Sequence, residues 1–199
     1  NDVTIFIDTM NLKNVVIVGH SMAGDIMLQT ALGNHSSIIG IVGVDNFKSI
    51  DVVFSPEQMK QMNDFFPLLE KDFKNAAPLY ADLMLFHPTT TKEVKERVKT
   101  DFANSDPVIG FKTIITQMQY SSDDAQRLEQ LNYKLYLINS DGFPTNKTGL
   151  KDHCKKGFQV ETISSTGHYP MIEKLLVLIL NLLALGLSLM IGIMVLGQD

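Results

Sequence analysis

The sequence predicts an α/β fold: a mostly parallel sheet with helices on its faces, a helical insertion and an apolar C-terminal helix. Short apolar runs predict the sheet. Val15-Val16-Ile17-Val18 and Ile38–Val44 are apolar or glycine throughout and rich in β-branched residues, the pattern of strands covered on both faces. A helical stripe separates them, and two strands joined through a helix make a right-handed parallel unit. The third observation is the stretch from Phe47 to about Gln130. It keeps helical spacings and offers no convincing strand until the sheet pattern resumes at Tyr133.

Taken in order, Val3, Phe6, Ile7 and Met10 recur at helical spacing, and a polar break from Asn11 to Asn14 precedes the first strand. That strand runs into Gly19-His20-Ser21-Met22-Ala23-Gly24. Ile26, Met27, Thr30 and Ala31 then share a helical stripe that ends near Gly33. The second strand closes on Asp45-Asn46. Within the insertion, Met59, Met62, Phe66, Leu69 and Phe73 fall three and four apart, as do Leu79, Leu83 and Phe86, while Val94, Val98 and Phe102 repeat at four. Pro78, Pro88 and Pro107 read as turns or helix starts. The third strand, Tyr133–Asn139, meets a turn-rich Ser140-Asp141-Gly142-Phe143-Pro144-Thr145. A helical stretch bearing Lys151, His153, Cys154, Lys155 and Lys156 reads as a solvated face. The fourth strand, Phe158–Ile163, leads into Ser164-Ser165-Thr166-Gly167-His168. The expected division is a core from 1–46 and 131–174, an insertion from 47–130, and an apolar helix from 175–196.

At 199 residues the chain fits one domain with an appendage. Lys and Arg number 17 against 22 Asp and Glu, a net charge of −5 that argues against a nucleic-acid partner. A single cysteine, Cys154, excludes an internal disulfide. With no Cys/His cluster at ligand spacing, no metal site is expected. Asn1–Met10 lacks the basic flank and apolar run of a secretory signal, and no initiator Met is present. The sequence therefore reads as part of a longer chain, with a cytoplasmic domain.

The chemistry concentrates at Gly19–Gly24. A Gly-x-Ser-x-small pentapeptide between a strand and a helix forces its serine onto a sharp turn, with the hydroxyl clear of the backbone. Ala23 stands at the fifth position, with Gly24 behind it, and a methyl group is small enough for the close approach of strand and helix. The turn also directs the Met22 amide toward the place where an oxyanion would form, at a helix N-terminus. A serine hydroxyl becomes nucleophilic when an imidazole, held by a carboxylate, takes its proton. His168 follows the last strand on a loop of small residues and fits as the base. Asp141, after the third strand, and Asp45, after the second, are the candidate acids. Asp141 is preferred and Asp45 is the alternative, and either gives the chain order Ser, Asp, His. His20 reads as packing or pocket lining.

In these stretches the chain resembles the α/β-hydrolase family. "NVVIVGHSMAG" is similar to its nucleophile strand and turn, "IIGIVGVDNF" to its next strand, "KLYLINSDGFPTN" to its acid-bearing strand and loop, and "STGHYPMIEK" to its histidine loop. The resemblance covers about residues 1–174. It implies a parallel sheet flanked by helices, a helical cap, and hydrolysis through an acyl-serine with Ser21 as nucleophile, His168 as base, Asp141 as acid and Met22 as an oxyanion donor. It also implies that strands bearing a second oxyanion donor precede this sequence.

Leu175–Leu196 carries no charged residue, and Asn181 and Ser188 are its only polar side chains. As a helix it would be about 33 Å long at 1.5 Å per residue, enough for a bilayer core of about 30 Å. A membrane-spanning helix is therefore expected. The alternatives are a replacement for the family's final helix or a cover for bare sheet. The functional expectation is a serine hydrolase acting on an ester or similar acyl bond of a small, mainly apolar substrate, without cofactor or metal. The alternative is a catalytically inactive, membrane-anchored hydrolase-like binding protein.

Overall fold

The computed structural model describes residues 2–196, with side chains through residue 186. Four parallel strands form one sheet in the order β1-β2-β3-β4, with β1 at Val15–His20, β2 at Ile38–Val44, β3 at Leu135–Ser140 and β4 at Phe158–Ile163. Helix α1 (Asp2–Thr9) precedes β1, α2 (Ala23–Leu32) joins β1 to β2, and α8 (Lys147–His153) joins β3 to β4. Five helices lie between β2 and β3: α3 (Pro56–Lys71), α4 (Phe73–Met84), α5 (Lys92–Asn104), α6 (Pro107–Ser121) and α7 (Asp124–Leu128). After β4 come α9 (Pro170–Glu173) and α10 (Leu175–Leu196).

Successive side chains of a strand point to opposite faces, and the two faces have separate cores. Ile41, Leu135 and Leu137 pack on one side against Met27, Leu28 and Ala31 of α2 and Leu150 of α8. Val42, Val44, Tyr136, Ile138 and Ile163 pack on the other against Leu178 and Leu185 of α10. This two-sided burial explains why β2 and β3 lack polar alternation. β1 borders the sheet, with Val18 half exposed.

Leu178, Leu182 and Leu185 turn one stripe of α10 onto the sheet, while Leu176, Leu180 and Leu183 face outward. The first turns of α10 thus cover a sheet face, one of the expected alternatives. Among the described residues no helix is long and apolar enough to cross a membrane. The expected span over Leu175–Leu196 falls, from residue 187 onward, outside the residues whose side chains are described.

The insertion has its own centre in Leu69, Phe73, Ala76 and Ala77, with Phe65, Phe66, Phe102 and Ile114 against them. The stripe expected to run from Met59 to Phe73 is broken at Asp72, where φ −146° ends α3 and starts α4. Ser55 caps α3 reciprocally with Gln58, and the Asp106 carboxylate accepts from the Val108 and Ile109 amides to start α6 at Pro107. Pro78 does not mark a turn. It lies inside α4, where burial of Phe73, Ala76, Ala77 and Ala81 holds the helix despite the missing N–H. Cys154 likewise leaves the expected solvated face. It ends α8 buried beside Leu150, and that burial pushes its thiol up to about 11.

Candidate functional site

The sheet continues its hydrogen bonding one residue beyond three strand ends. Ser21 N donates to Val44 O, Asp45 N to Ile138 O, and Asp141 N to Ile163 O. These bonds fix the candidate side chains along the carboxyl edge of the sheet, where open α/β sheets place their ligands.

Ser21 has φ 52°, the left-handed region that a non-glycine residue enters at a cost. The sharp reversal this creates lets α2 begin two residues later. It requires small neighbours: a Cβ on Gly19 would sit 2.6 Å from Ala23 O, and one on Gly24 would strike the Asn46 amide. Asn46 instead donates from Nδ2 to Gly19 O at 2.9 Å, tying the second strand's end to the serine turn. Met22 is the N-cap of α2, so its own amide has no partner within the helix.

His168 Nε2 lies 2.7 Å from Ser21 Oγ, and His168 Nδ1 lies 2.6 Å from Asp45 Oδ2. An ionised carboxylate only accepts, so Nδ1 carries the hydrogen and donates to Asp45. Nε2 is left to accept from the serine hydroxyl. The His168 amide donates to Leu85 O at 2.8 Å, and His20 Nε2 donates to the His168 carbonyl at 2.7 Å. His20 is therefore neither plain packing nor a second base: it ties β1 to the histidine loop. Burial and the neighbouring His168 lower its pKa, which keeps it neutral.

The carboxylate that meets His168 is Asp45, not the preferred Asp141. The Asp45 side chain is 3% exposed, and its other oxygen, Oδ1, accepts from Ser140 N at 2.8 Å, Ser140 Oγ at 2.7 Å and Lys48 Nζ at 2.6 Å. Burial alone would raise the Asp45 pKa. The hydrogen bond from His168 and the charge of Lys48 overcome it and hold the carboxyl well below the usual carboxylate range. Asp141, 36% exposed, accepts from the Ser165 and Thr166 amides and lies 3.9 Å from His87. It shapes the turn that leads to His168. Adjacency explains the difference, because β2 neighbours β1, and β3 lies one strand farther from Ser21. Sequence reasoning missed Lys48 and Ser140 as partners of Asp45. The one local signal was a lysine three positions after an aspartate that closes a strand buried at all but one of its positions.

Ser21, Met22 and His168 open into a cavity of about 210 Å³, roofed by Phe73, Tyr80 and Phe102 of the insertion. Ile114 and Leu85 add to its apolar wall, and Thr113 and Gln117 supply polar points. A larger cleft of about 550 Å³, lined by Thr89, Glu93, Arg97, Glu173 and Lys174, includes neither Ser21 nor His168. Of the two, it is the smaller space that Ser21, Met22 and His168 line. Among the described residues no group of His, Cys, Asp and Glu is arranged to hold a metal ion.

No protein-family model matches the chain, and no curated protein matches it in sequence. Solved structures do match its fold. A hydrolase from Oleispira antarctica superposes with TM-score 0.68 at 21% identity, over 83% of this chain and 62% of that one. An esterase from Exiguobacterium antarcticum gives 0.71 at 13% identity, over 92% and 70%. An alpha/beta hydrolase enzyme from a Medee basin deep-sea metagenome library gives 0.62 at 18%, over 92% and 68%. The chain thus spans about two thirds of each. With four parallel strands, a serine turn after the first and helices on both faces, the chain carries the α/β-hydrolase fold.

Proposed function

We propose that this chain is a serine hydrolase that cleaves an ester or similar acyl bond of a small, mainly apolar substrate. The observation that carries the reading is the continuous hydrogen-bonded line from Ser21 Oγ through His168 to Asp45. In this reading His168 Nε2 takes the hydroxyl proton as Ser21 Oγ attacks the acyl carbon. The Asp45 carboxylate stabilises the imidazolium and remains ionised. The Met22 amide donates to the oxyanion of the tetrahedral intermediate. His168 then delivers the proton to the leaving alkoxide, which departs as alcohol and leaves an acyl-serine. Water attacks that ester, its proton passing to Nε2 and on to Ser21 Oγ, so the acid is released and the serine regenerated. The aromatic roof of Phe73, Tyr80 and Phe102 supports an apolar acyl group, and the modest cavity supports a short one.

A fluorophosphonate probe tests the reading directly. Stoichiometric labelling on Ser21, abolished in Ser21→Ala, is the expected result. A folded protein that takes no label at Ser21 overturns it.

A further inference from the structure

We infer that Lys48 and Ser140 are positioning residues of this site: a buried ammonium and hydroxyl that lock one oxygen of Asp45, aim the other at His168, and weaken the hold of the carboxylate on the imidazolium. The inference rests on the hydrolase reading above.

The geometry is a closed ring. Lys48 Nζ donates to Asp45 Oδ1 at 2.6 Å and to Ser140 Oγ at 2.8 Å, and Ser140 Oγ donates to the same Asp45 oxygen at 2.7 Å. Both Lys48 and Ser140 are buried, so neither group is hydrated in place of these bonds. With the Ser140 amide added, Oδ1 has three donors among the described residues and Oδ2 has His168 alone. A carboxylate held this way cannot rotate to exchange its oxygens, so the Nδ1 hydrogen of the imidazole has one fixed acceptor. Three elements contribute: Asp45 and Lys48 follow β2, Ser140 ends β3, and His168 follows β4.

The charges give the ring a second effect. The titratable groups facing the pair are Lys48 on the Asp45 side, and His20 and Tyr169 on the His168 side, the rings of the last two lying 4.8 and 5.2 Å from His168. His20 is held neutral, and burial pushes the Tyr169 phenol up to about 12, so it is neutral too. Asp141 and His87 are paired with each other and with the loop before His168. Lys48 is therefore the one cation acting on the Asp45–His168 pair among the described residues. An aspartate alone would give the resting site a charge of −1. With Lys48 the Asp45–His168–Lys48 group is neutral at rest, and it becomes +1 when His168 carries the serine proton, the balancing −1 then lying on the oxyanion. A buried cation opposes that protonation, so removing Lys48 strengthens the hold of the carboxylate on the imidazolium.

The test combines the pH profile of ester hydrolysis with a readout that needs no turnover, the NMR titration of the His168 ring. Lys48→Met is expected to move the acid limb of kcat/KM, and the ring titration with it, toward higher pH by roughly 1 pH unit. Lys48→Arg, which restores the charge, is expected to return both to within about 0.3 of the wild type. Ser140→Ala is expected to lower kcat by about tenfold without moving the limb, because it loosens the carboxylate and leaves the charge. Should Lys48→Met not fold, Lys48→Gln keeps a donor to Ser140 without the cation and must show the same displacement. A folded Lys48 variant without the charge, whose His168 ring titrates as in the wild type, overturns the inference. Failure of the hydrolase reading shows separately, as a wild-type chain that takes no phosphonate at Ser21 while its His168 ring still responds to the Lys48 substitution.

Discussion

Replacing each aspartate by asparagine separates the two carboxylates. In Asp45→Asn an amide stands where Oδ2 accepts the His168 Nδ1 hydrogen at 2.6 Å. If its NH₂ faces the ring, the imidazole must switch tautomer, and Nε2 then carries a hydrogen and can no longer accept the serine proton. The same substitution in an equivalent triad lowers kcat by about 10⁴-fold, roughly 5.5 kcal/mol of barrier at 1.36 kcal/mol per tenfold. It also leaves the buried Lys48 ammonium without its counter-charge, a loss of about 3 to 5 kcal/mol in stability. Asp141→Asn loses charge from two hydrogen bonds to the Ser165–Thr166 turn and from the contact with His87, on a carboxylate that is 36% exposed. At about 0.5 to 1.5 kcal/mol, that is a drop of about tenfold or less. The assay is kcat/KM on a short-chain p-nitrophenyl ester, with urea denaturation of the same samples. An Asp141→Asn variant that falls as far as Asp45→Asn, or an Asp45→Asn variant that keeps a tenth of the wild-type rate, refutes the assignment.

Two other expectations concern stability. Burial, and then the nearby Asp25 carboxylate, push the Asp124 pKa up to about 8 against the pull of Arg127. Between about pH 4 and 8 the folded chain then keeps a proton that the unfolded chain has released, so stability falls as pH rises through that window, by at most about 1.4 kcal/mol per pH unit from this group. Urea denaturation at pH 5 and pH 8 should show a smaller difference in Asp124→Asn than in the wild type; an unchanged difference contradicts the assignment. Leu178→Ala removes a buried contact between α10 and the sheet and should cost about 2 to 5 kcal/mol in the same measurement. A variant as stable as the wild type would mean that α10 does not support the sheet.

Much of the scaffold could be read from the amino-acid order because its signals are local. β2 and β4 have the expected ends, since an unbroken apolar run and a strand closed by small polar residues need no distant information. β1 runs two residues past Val18, because Gly19 and His20 pair with Gly43 and Val44. The serine turn and the histidine loop were legible for the same reason: each requires small residues at fixed offsets from a strand end. The acid was not. Asp45 and Asp141 both follow a strand and both sit in turns, and only the strand order shows which lies beside Ser21. The burial of Lys48 was equally hidden, because its neighbour Ser140 is supplied from beyond the entire insertion. Pro78 misled for the opposite reason, as a local helix breaker overridden by the packing of Ala76, Ala77 and Ala81.

Every link of the relay joins positions far apart along the chain: Ser21 to His168 spans 147 residues, Asp45 to His168 123, and Asp45 to Ser140 95. Closing such long loops costs conformational entropy that local helices never meet, so contacts of this separation set the slow steps of folding. During refolding, helical ellipticity should return ahead of phosphonate reactivity. In the proposed mechanism, a chain cut anywhere between Ser21 and the histidine loop retains the serine without its base, so the nucleophile belongs to the completed topology and to no segment of it.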